Sequence, residues 1–151
     1  MGLTTALWPL FHYMMWRDDE DRTTWDQHSW QSYVKVNQAF AERVAAEHKP
    51  GDIVWVHDYH LLLVPLLVRR MIPDVHIGVF VHSSFPSSEF FRCLPQRHDI
   101  LEGMLGADLI CFQNQTYARH FLSCCVRICG LEVQGNMSLI NISEPTRLTT
   151  N

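Results

Sequence analysis

The sequence predicts an α/β fold, a parallel sheet with crossover helices. Three observations carry this expectation. IVWV at residues 53–56, HIGVFV at 76–81 and ADLICF at 107–112 are short apolar runs without alternation, the pattern of strands buried on both faces. A segment of helical patterning follows each run. The runs recur at intervals of roughly 20–30 residues, which suits β-α-β units.

Before the first strand, residues 1–25 are aromatic and irregular, with a charged patch at 17–22. Residues 26–48 read as a helix, because Trp30, Tyr33, Val34, Asn37, Phe40, Ala41 and Val44 fall on one face. Pro50-Gly51 ends it. Residues 61–71 read as a compact apolar helix. Arg69-Arg70 suit its C-terminus, and Pro65 sits in its first turn or kinks it. Pro73-Asp74 marks the turn into the second strand. Pro86-Ser87-Ser88-Glu89 starts a helix that continues over 90–105, with Pro95 as an interruption. Residues 115–129 form the last helix, closed by Gly130 as a C-cap. Beyond Glu132 the patterning fails. Residues 1–132 are therefore expected to form a partial domain and 133–151 a disordered tail.

The chain has 151 residues, one domain's worth, and a net charge of −4 without a basic stripe. Neither nucleic acid nor a membrane surface is an expected partner. The five cysteines are odd in number, contain no C-x-x-C pair, and all but Cys93 lie in apolar stretches. That usage argues against a disulfide framework and for a reducing compartment, the cytoplasm. No secretory signal is read at the start, and the run 61–68 falls far short of the ~20 residues of a spanning helix. Sequons at Asn114, Asn136 and Asn141 are read as chance.

In an open parallel sheet, ligands bind beyond the carboxyl ends of the strands. Here those ends carry His57-Asp58-Tyr59-His60, then His82-Ser83-Ser84, then Gln113-Asn114. Asp58 can accept hydrogen bonds from two sugar hydroxyls, or it can cap the helix that follows. His82 can donate to a sugar hydroxyl or a phosphate oxygen, or be a core histidine satisfied by backbone. Trp8, within LWPLFHY, can stack on a sugar ring or belong to the core. His57, His60 and His82 together would suggest a metal only if three imidazoles converged. His57 and His60 are expected to diverge, so no metal is expected. Arg92 and Arg119 could pair with phosphate, but inside helices a solvated or salt-bridged role is the default. No Ser-His-Asp order, phosphate-binding P-loop or G-x-G-x-x-G is present.

Several strings taken together resemble trehalose-6-phosphate synthases. They are LWPLFHY at 7–13, Trp30-Gln31-Ser32-Tyr33 with Val36-Asn37 and Phe40-Ala41, VWVHDYHLLLVP at 54–65, FPSSEFFRCLPQR at 85–97, ADLICFQ at 107–113 and YARHFLSCC at 117–125. The resemblance covers about residues 3–132, and the last string with the insert at 14–26 is most similar to the plant-type branch. It implies one half of a GT-B glycosyltransferase: two Rossmann-like domains facing a cleft, this chain being part of the N-terminal, acceptor-side one. It implies transfer of glucose from UDP-glucose to glucose 6-phosphate with retention, and no metal or cofactor. It places Trp8 in the acceptor pocket, Asp58 on the acceptor sugar and His82 near the transferred glucose. Asp58 and His82 are then the catalytic candidates.

Two positions depart from the family's pattern. Ser84 stands where a proline is usual, which is expected to loosen the turn that aims His82. Cys111 stands where a glycine is usual, which adds a side chain within a strand expected to be buried. The family's first strand with its glycine-rich loop would precede Met1, and its second domain would follow Asn151. The chain is thus expected to be a fragment that does not make trehalose 6-phosphate alone. Two other readings remain open: a non-catalytic sugar-phosphate-binding or regulatory module, such as a subunit of a trehalose synthase complex, and a truncated product without activity.

Overall fold

The computed structural model describes Phe11 and residues 27–132. Trp8, the charged patch at 17–22 and the tail at 133–151 lie outside the described residues. The element order is α1 (Gln27–Glu47), β1 (Ile53–His57), a 3₁₀ turn (Tyr59–Leu61), α2 (Val64–Met71), β2 (His76–Val81), α3 (Ser88–Phe91), α4 (Arg97–Leu105), β3 (Leu109–Phe112) and α5 (Gln115–Cys129). The three strands are parallel in the order β1-β2-β3, with Val56 opposite Val79 and Val79 opposite Ile110. This is the expected α/β architecture with crossover helices.

The helices differ from expectation in detail. α2 begins at Val64 rather than at residue 61, because Pro65 occupies its first turn and the chain first makes a separate 3₁₀ turn. The segment after Pro86 is broken rather than merely interrupted. α3 stops at Phe91, and a new helix starts at Arg97, beyond Pro95. Ser87 takes the N-cap position of α3 without a side-chain capping bond. α5 ends as expected, with Gly130 in the left-handed conformation at φ 67° and its N–H on the Val126 carbonyl.

Burial corrects one sequence expectation. The strands are covered on one face only among the described residues. Val56, Ile77, Val79, Val81 and Ile110 are buried, whereas Ile53 and Trp55 on the other face of β1 are 74% and 66% exposed. An apolar run such as IVWV looks the same whether one or both faces are covered. Cys111 lies on that open face opposite Phe80, half-buried, so its side chain does not press on the core. Phe40 of α1 is likewise half-exposed.

The covered face holds the core: Leu62, Phe85, Phe91, Leu94, Ile100, Leu101, Met104 and Phe121 are fully buried. Each such side chain contributes about 1.5–3 kcal/mol on burial. Phe85 lies at the centre of an aromatic group with Phe11, Phe91, Phe112 and Phe121, at ring-centroid distances of 5.2–5.7 Å. Arg69, in the last turn of α2, does more than suit the helix end. Its Nε donates to the Gly106 carbonyl at 3.2 Å, one Nη to the carbonyls of Pro73 and Val75, and the other to Asp108 Oδ1 at 2.7 Å. Asp108 Oδ2 accepts from the Ile77 N–H at 2.7 Å, which fixes β3 against β2 where the strands begin.

Candidate functional site at the strand tips

The site starts from α1. Asn37 and Tyr33 are one helical turn apart and both buried. The Tyr33 hydroxyl donates to the Tyr59 carbonyl at 2.8 Å and accepts from the Leu62 N–H at 3.1 Å. Asn37 donates to the carbonyls of Tyr33 and His60 and accepts from the Leu63 N–H at 3.1 Å. These bonds clamp residues 59–63, the segment directly after the tip of β1. Burial, the largest cause, pushes the Tyr33 hydroxyl far above its ordinary value and outweighs the hydrogen bonds that favour ionisation. It is therefore a neutral hydroxyl that can both donate and accept.

Asp58 sits between the strand and the clamped turn, with φ 62° and ψ −178°. No other non-glycine residue among those described has a positive φ. This region is essentially glycine-only and costs on the order of 1–3 kcal/mol for a side-chain-bearing residue. Such strain persists only where the surroundings over-determine it. The Asp58 N–H donates to the Phe80 carbonyl at 2.9 Å. Its Oδ1 accepts three bonds: from the Tyr59 N–H at 3.0 Å, the Ser83 N–H at 3.3 Å and the Ser83 hydroxyl at 2.5 Å. Oδ2 accepts none from the described residues. Asp58 is thus the cap of a short 3₁₀ turn, as one sequence reading had it, and also a carboxylate with one oxygen uncommitted. Burial and then the Asp58 charge raise the Tyr59 hydroxyl above its ordinary value, which keeps it neutral.

His82 follows β2 immediately and is exposed, not a core histidine held by backbone. Its Nε2 lies 3.0 Å from His57 Nδ1. One ring donates and the other accepts. The His57 ring also stacks on Trp55 at 5.1 Å, and that of His82 lies 4.6 Å from Phe80. His60 diverges as expected and stacks on Tyr59 at 4.1 Å. Among the described residues no group of three His, Cys, Asp or Glu side chains is placed to hold a metal ion.

The structure therefore brings Asp58 and His82 to one rim, joined through Ser83. The third strand end contributes less than expected, because the Asn114 side chain is spent capping α5 at the Tyr117 N–H. Arg92 pairs with Glu89 at 3.3 Å and Arg119 with Gln115 at 3.5 Å, both exposed, the ordinary helix-surface roles. Ser83 and the clamp of Tyr33 and Asn37 were not identified as site-building residues from sequence. Asn37 carried a signal, a polar residue within the apolar stripe of a helix. Ser83 carried none, because its partner is 25 residues away.

Ser84 does not leave its turn loose. Its Oγ accepts from the Tyr117 hydroxyl at 3.0 Å. Further along α5, His120 Nδ1 meets the Phe85 carbonyl at 2.9 Å, Ser123 donates to Ser88 at 3.2 Å, and Arg127 meets Glu89 at 2.9 Å. Residues 117, 120, 123 and 127 follow helical spacing, so one face of α5 holds the segment that carries the His82 turn.

Comparison with known proteins agrees with this fold. Residues 4–148 match the model of glycosyltransferase family 20. A trehalose synthase complex regulatory subunit of Saccharomyces cerevisiae is 48% identical over 130 residues, covering 86% of this chain and 12% of the relative. The N-terminal domain of Candida albicans trehalose-6-phosphate phosphatase superposes with a TM-score of 0.78 at 50% identity, covering 85% of this chain and 27% of that one. An α,α-trehalose-phosphate synthase (UDP-forming) from Burkholderia xenovorans in complex with glucose 6-phosphate superposes at 0.75 and 31% identity, over 84% and 27% of the two chains. The chain thus spans about an eighth of that curated relative and about a quarter of each of those two solved chains.

Proposed function

The chain belongs to glycosyltransferase family 20, and on that premise we propose that it supplies the acceptor-side wall of a retaining glucosyltransferase that moves glucose from UDP-glucose to glucose 6-phosphate. The observation that carries this reading is Asp58: a carboxylate held in a glycine-only backbone conformation, one oxygen bound three times and the other accepting no bond from the described residues. A side chain kept at such cost points to use of the carboxylate. In this reading Asp58 Oδ2 accepts hydroxyl protons of the acceptor sugar, a ring nitrogen of His82 contacts the transferred glucose, and Trp8 lines the acceptor pocket. Retention requires the acceptor to enter on the face from which the donor phosphate leaves. The share of these residues is positioning and charge stabilisation. The reading needs neither metal nor cofactor, and the five free thiols suit a reducing compartment such as the cytoplasm.

The test is UDP release from UDP-glucose and glucose 6-phosphate by a complete family enzyme carrying residues 27–132 of this chain in place of its own. Asp58→Ala and His82→Ala should each lower turnover about 100-fold or more. Unchanged turnover in both would overturn the assignments. The 151-residue chain alone is expected to release no UDP above the blank.

A second reading is supported by the 48% identity to a regulatory subunit of a trehalose synthase complex, the same identity as to a probable α,α-trehalose-phosphate synthase of Arabidopsis thaliana. Here the same rim binds a sugar phosphate without transfer, as part of a trehalose synthase complex. Calorimetric binding of glucose 6-phosphate by a chimera that releases no UDP would select it.

A further inference from the structure

We infer that Ser83 is a positioning residue for this site: its hydroxyl fixes the Asp58 carboxylate so that Oδ2 faces a bound sugar, and in doing so helps to hold Asp58 and His82 at their spacing. The inference rests on the reading of Asp58 as the acceptor-holding group.

A carboxylate offers two oxygens and about four lone-pair directions, and left alone it turns about its last bond. Here one oxygen is saturated. Two of its three donors are backbone N–H groups, from Tyr59 at 3.0 Å and Ser83 at 3.3 Å. These come from two chain segments, one clamped by α1 and one at the end of β2. The third donor, the Ser83 hydroxyl at 2.5 Å, is the shortest of the set and the only one that a substitution can remove without touching the backbone. With it in place the carboxylate has one orientation. Without it, the longer Ser83 N–H bond is all that ties the Asp58 carboxylate, as distinct from its backbone, to the end of the second strand.

The position of Ser83 gives the bond a further consequence. Ser83 directly follows His82, whose ring is held by His57 at the end of β1. Beside the backbone bond from the Asp58 N–H to the Phe80 carbonyl, two side-chain links thus join the tips of β1 and β2, the two imidazoles and the Asp58–Ser83 bond. The Ser83 hydroxyl thus adds to the backbone ladder a side-chain link between the two groups proposed to hold the two sugars. Preorganisation of this kind lowers the ordering cost of binding without adding a contact to the ligand.

The experiment uses the full 151-residue chain with Ser83→Ala, Ser83→Thr and Ser83→Val. Isotope-detected NMR follows the Asp58 Cγ and Tyr59 amide signals, and calorimetry follows glucose 6-phosphate. Ser83→Ala should shift both signals and weaken glucose 6-phosphate about tenfold or more, the scale of one lost bond to a charged acceptor. Ser83→Thr, which keeps the hydroxyl, should restore both. Ser83→Val, its near-isostere without the hydroxyl, should not, and the Thr and Val variants decide the matter if Ser83→Ala fails to fold. Asp58 and Tyr59 signals that stay in place in the hydroxyl-free variants overturn the inference, as does wild-type affinity in those variants. If the unsubstituted chain gives no heat with glucose 6-phosphate, the acceptor-site reading falls, and the NMR comparison still decides what Ser83 does.

Discussion

Asn37 Oδ1 accepts the Leu63 N–H at 3.1 Å across 26 residues of sequence, from a side chain with no solvent exposure. The same amide donates to the Tyr33 and His60 carbonyls. Asn37→Ala would take these partners from the buried Leu63 N–H and the part-buried His60 carbonyl, at about 1–3 kcal/mol for each group left unsatisfied. The expected loss is about 2–4 kcal/mol in a urea unfolding midpoint series. A loss under about 1 kcal/mol would show that water replaces the amide, and that the clamp on residues 59–63 is not built as described.

Asp58 allows the backbone and the carboxylate to be separated. Asp58→Ala removes the carboxylate and keeps the unfavourable φ of 62°. Asp58→Gly removes the carboxylate and the strain together. The glycine variant should be the more stable of the two by about 1–2 kcal/mol, although glycine costs more entropy in ordinary conformations. Equal stability, or a more stable alanine variant, would mean that this backbone is not left-handed in solution. Both variants should lose glucose 6-phosphate, so stability and binding diverge between them.

Much of this site was legible in the sequence, for physical reasons that differ from residue to residue. Asp58 and His82 follow apolar runs, and in a parallel sheet the ends of such runs converge on one edge. Gly130 marked the end of α5 because a left-handed cap favours glycine. The open face around Ile53 and Trp55 was not legible, since burial of a face is decided by what packs on it and not by the strand's own residues. Ser83 and Ser84 were equally silent as hydrogen-bonding partners. A serine hydroxyl acquires its meaning from a partner distant in sequence, here Asp58 and Tyr117.

Asp108 gives the fold a defined acid limit. Burial alone would raise its carboxyl, but the Ile77 N–H and the Arg69 guanidinium outweigh that and hold it below the ordinary 3.8. A carboxyl lowered in the folded state binds its proton first in the unfolded state. Its contribution is therefore complete above about 3.8 and is lost as pH falls below that value toward the folded one. Asp108→Asn should cost about 1–2 kcal/mol at neutral pH, a moderate figure because the side chain is 48% exposed. It should also flatten the decline of stability below pH ~4. An unchanged slope in that range, measured by urea unfolding at stepped pH, would remove Asp108 from the account of acid stability.

The bond between Ser84 and Tyr117 predicts a coupled pair rather than a weakened turn. Proline, the residue usual in the resembling family, would remove the Ser84 hydroxyl. It would cost no backbone bond to the described residues, since the Ser84 N–H donates to none of them. It would also restrict the unfolded chain, which stabilises by about 0.4–1 kcal/mol where the backbone fits. That gain is close to the net worth of one neutral hydrogen bond, about 0.5–1.5 kcal/mol. Ser84→Pro should therefore leave stability within about 1 kcal/mol of the parent. Tyr117→Phe should cost about 0.5–1.5 kcal/mol beside Ser84 and close to nothing in the Ser84→Pro background. The double-mutant cycle measures this coupling directly. Independent effects of the two substitutions would mean that α5 does not hold the His82 turn through this bond, and the burden would pass to the contacts of His120, Ser123 and Arg127 with residues 85–89.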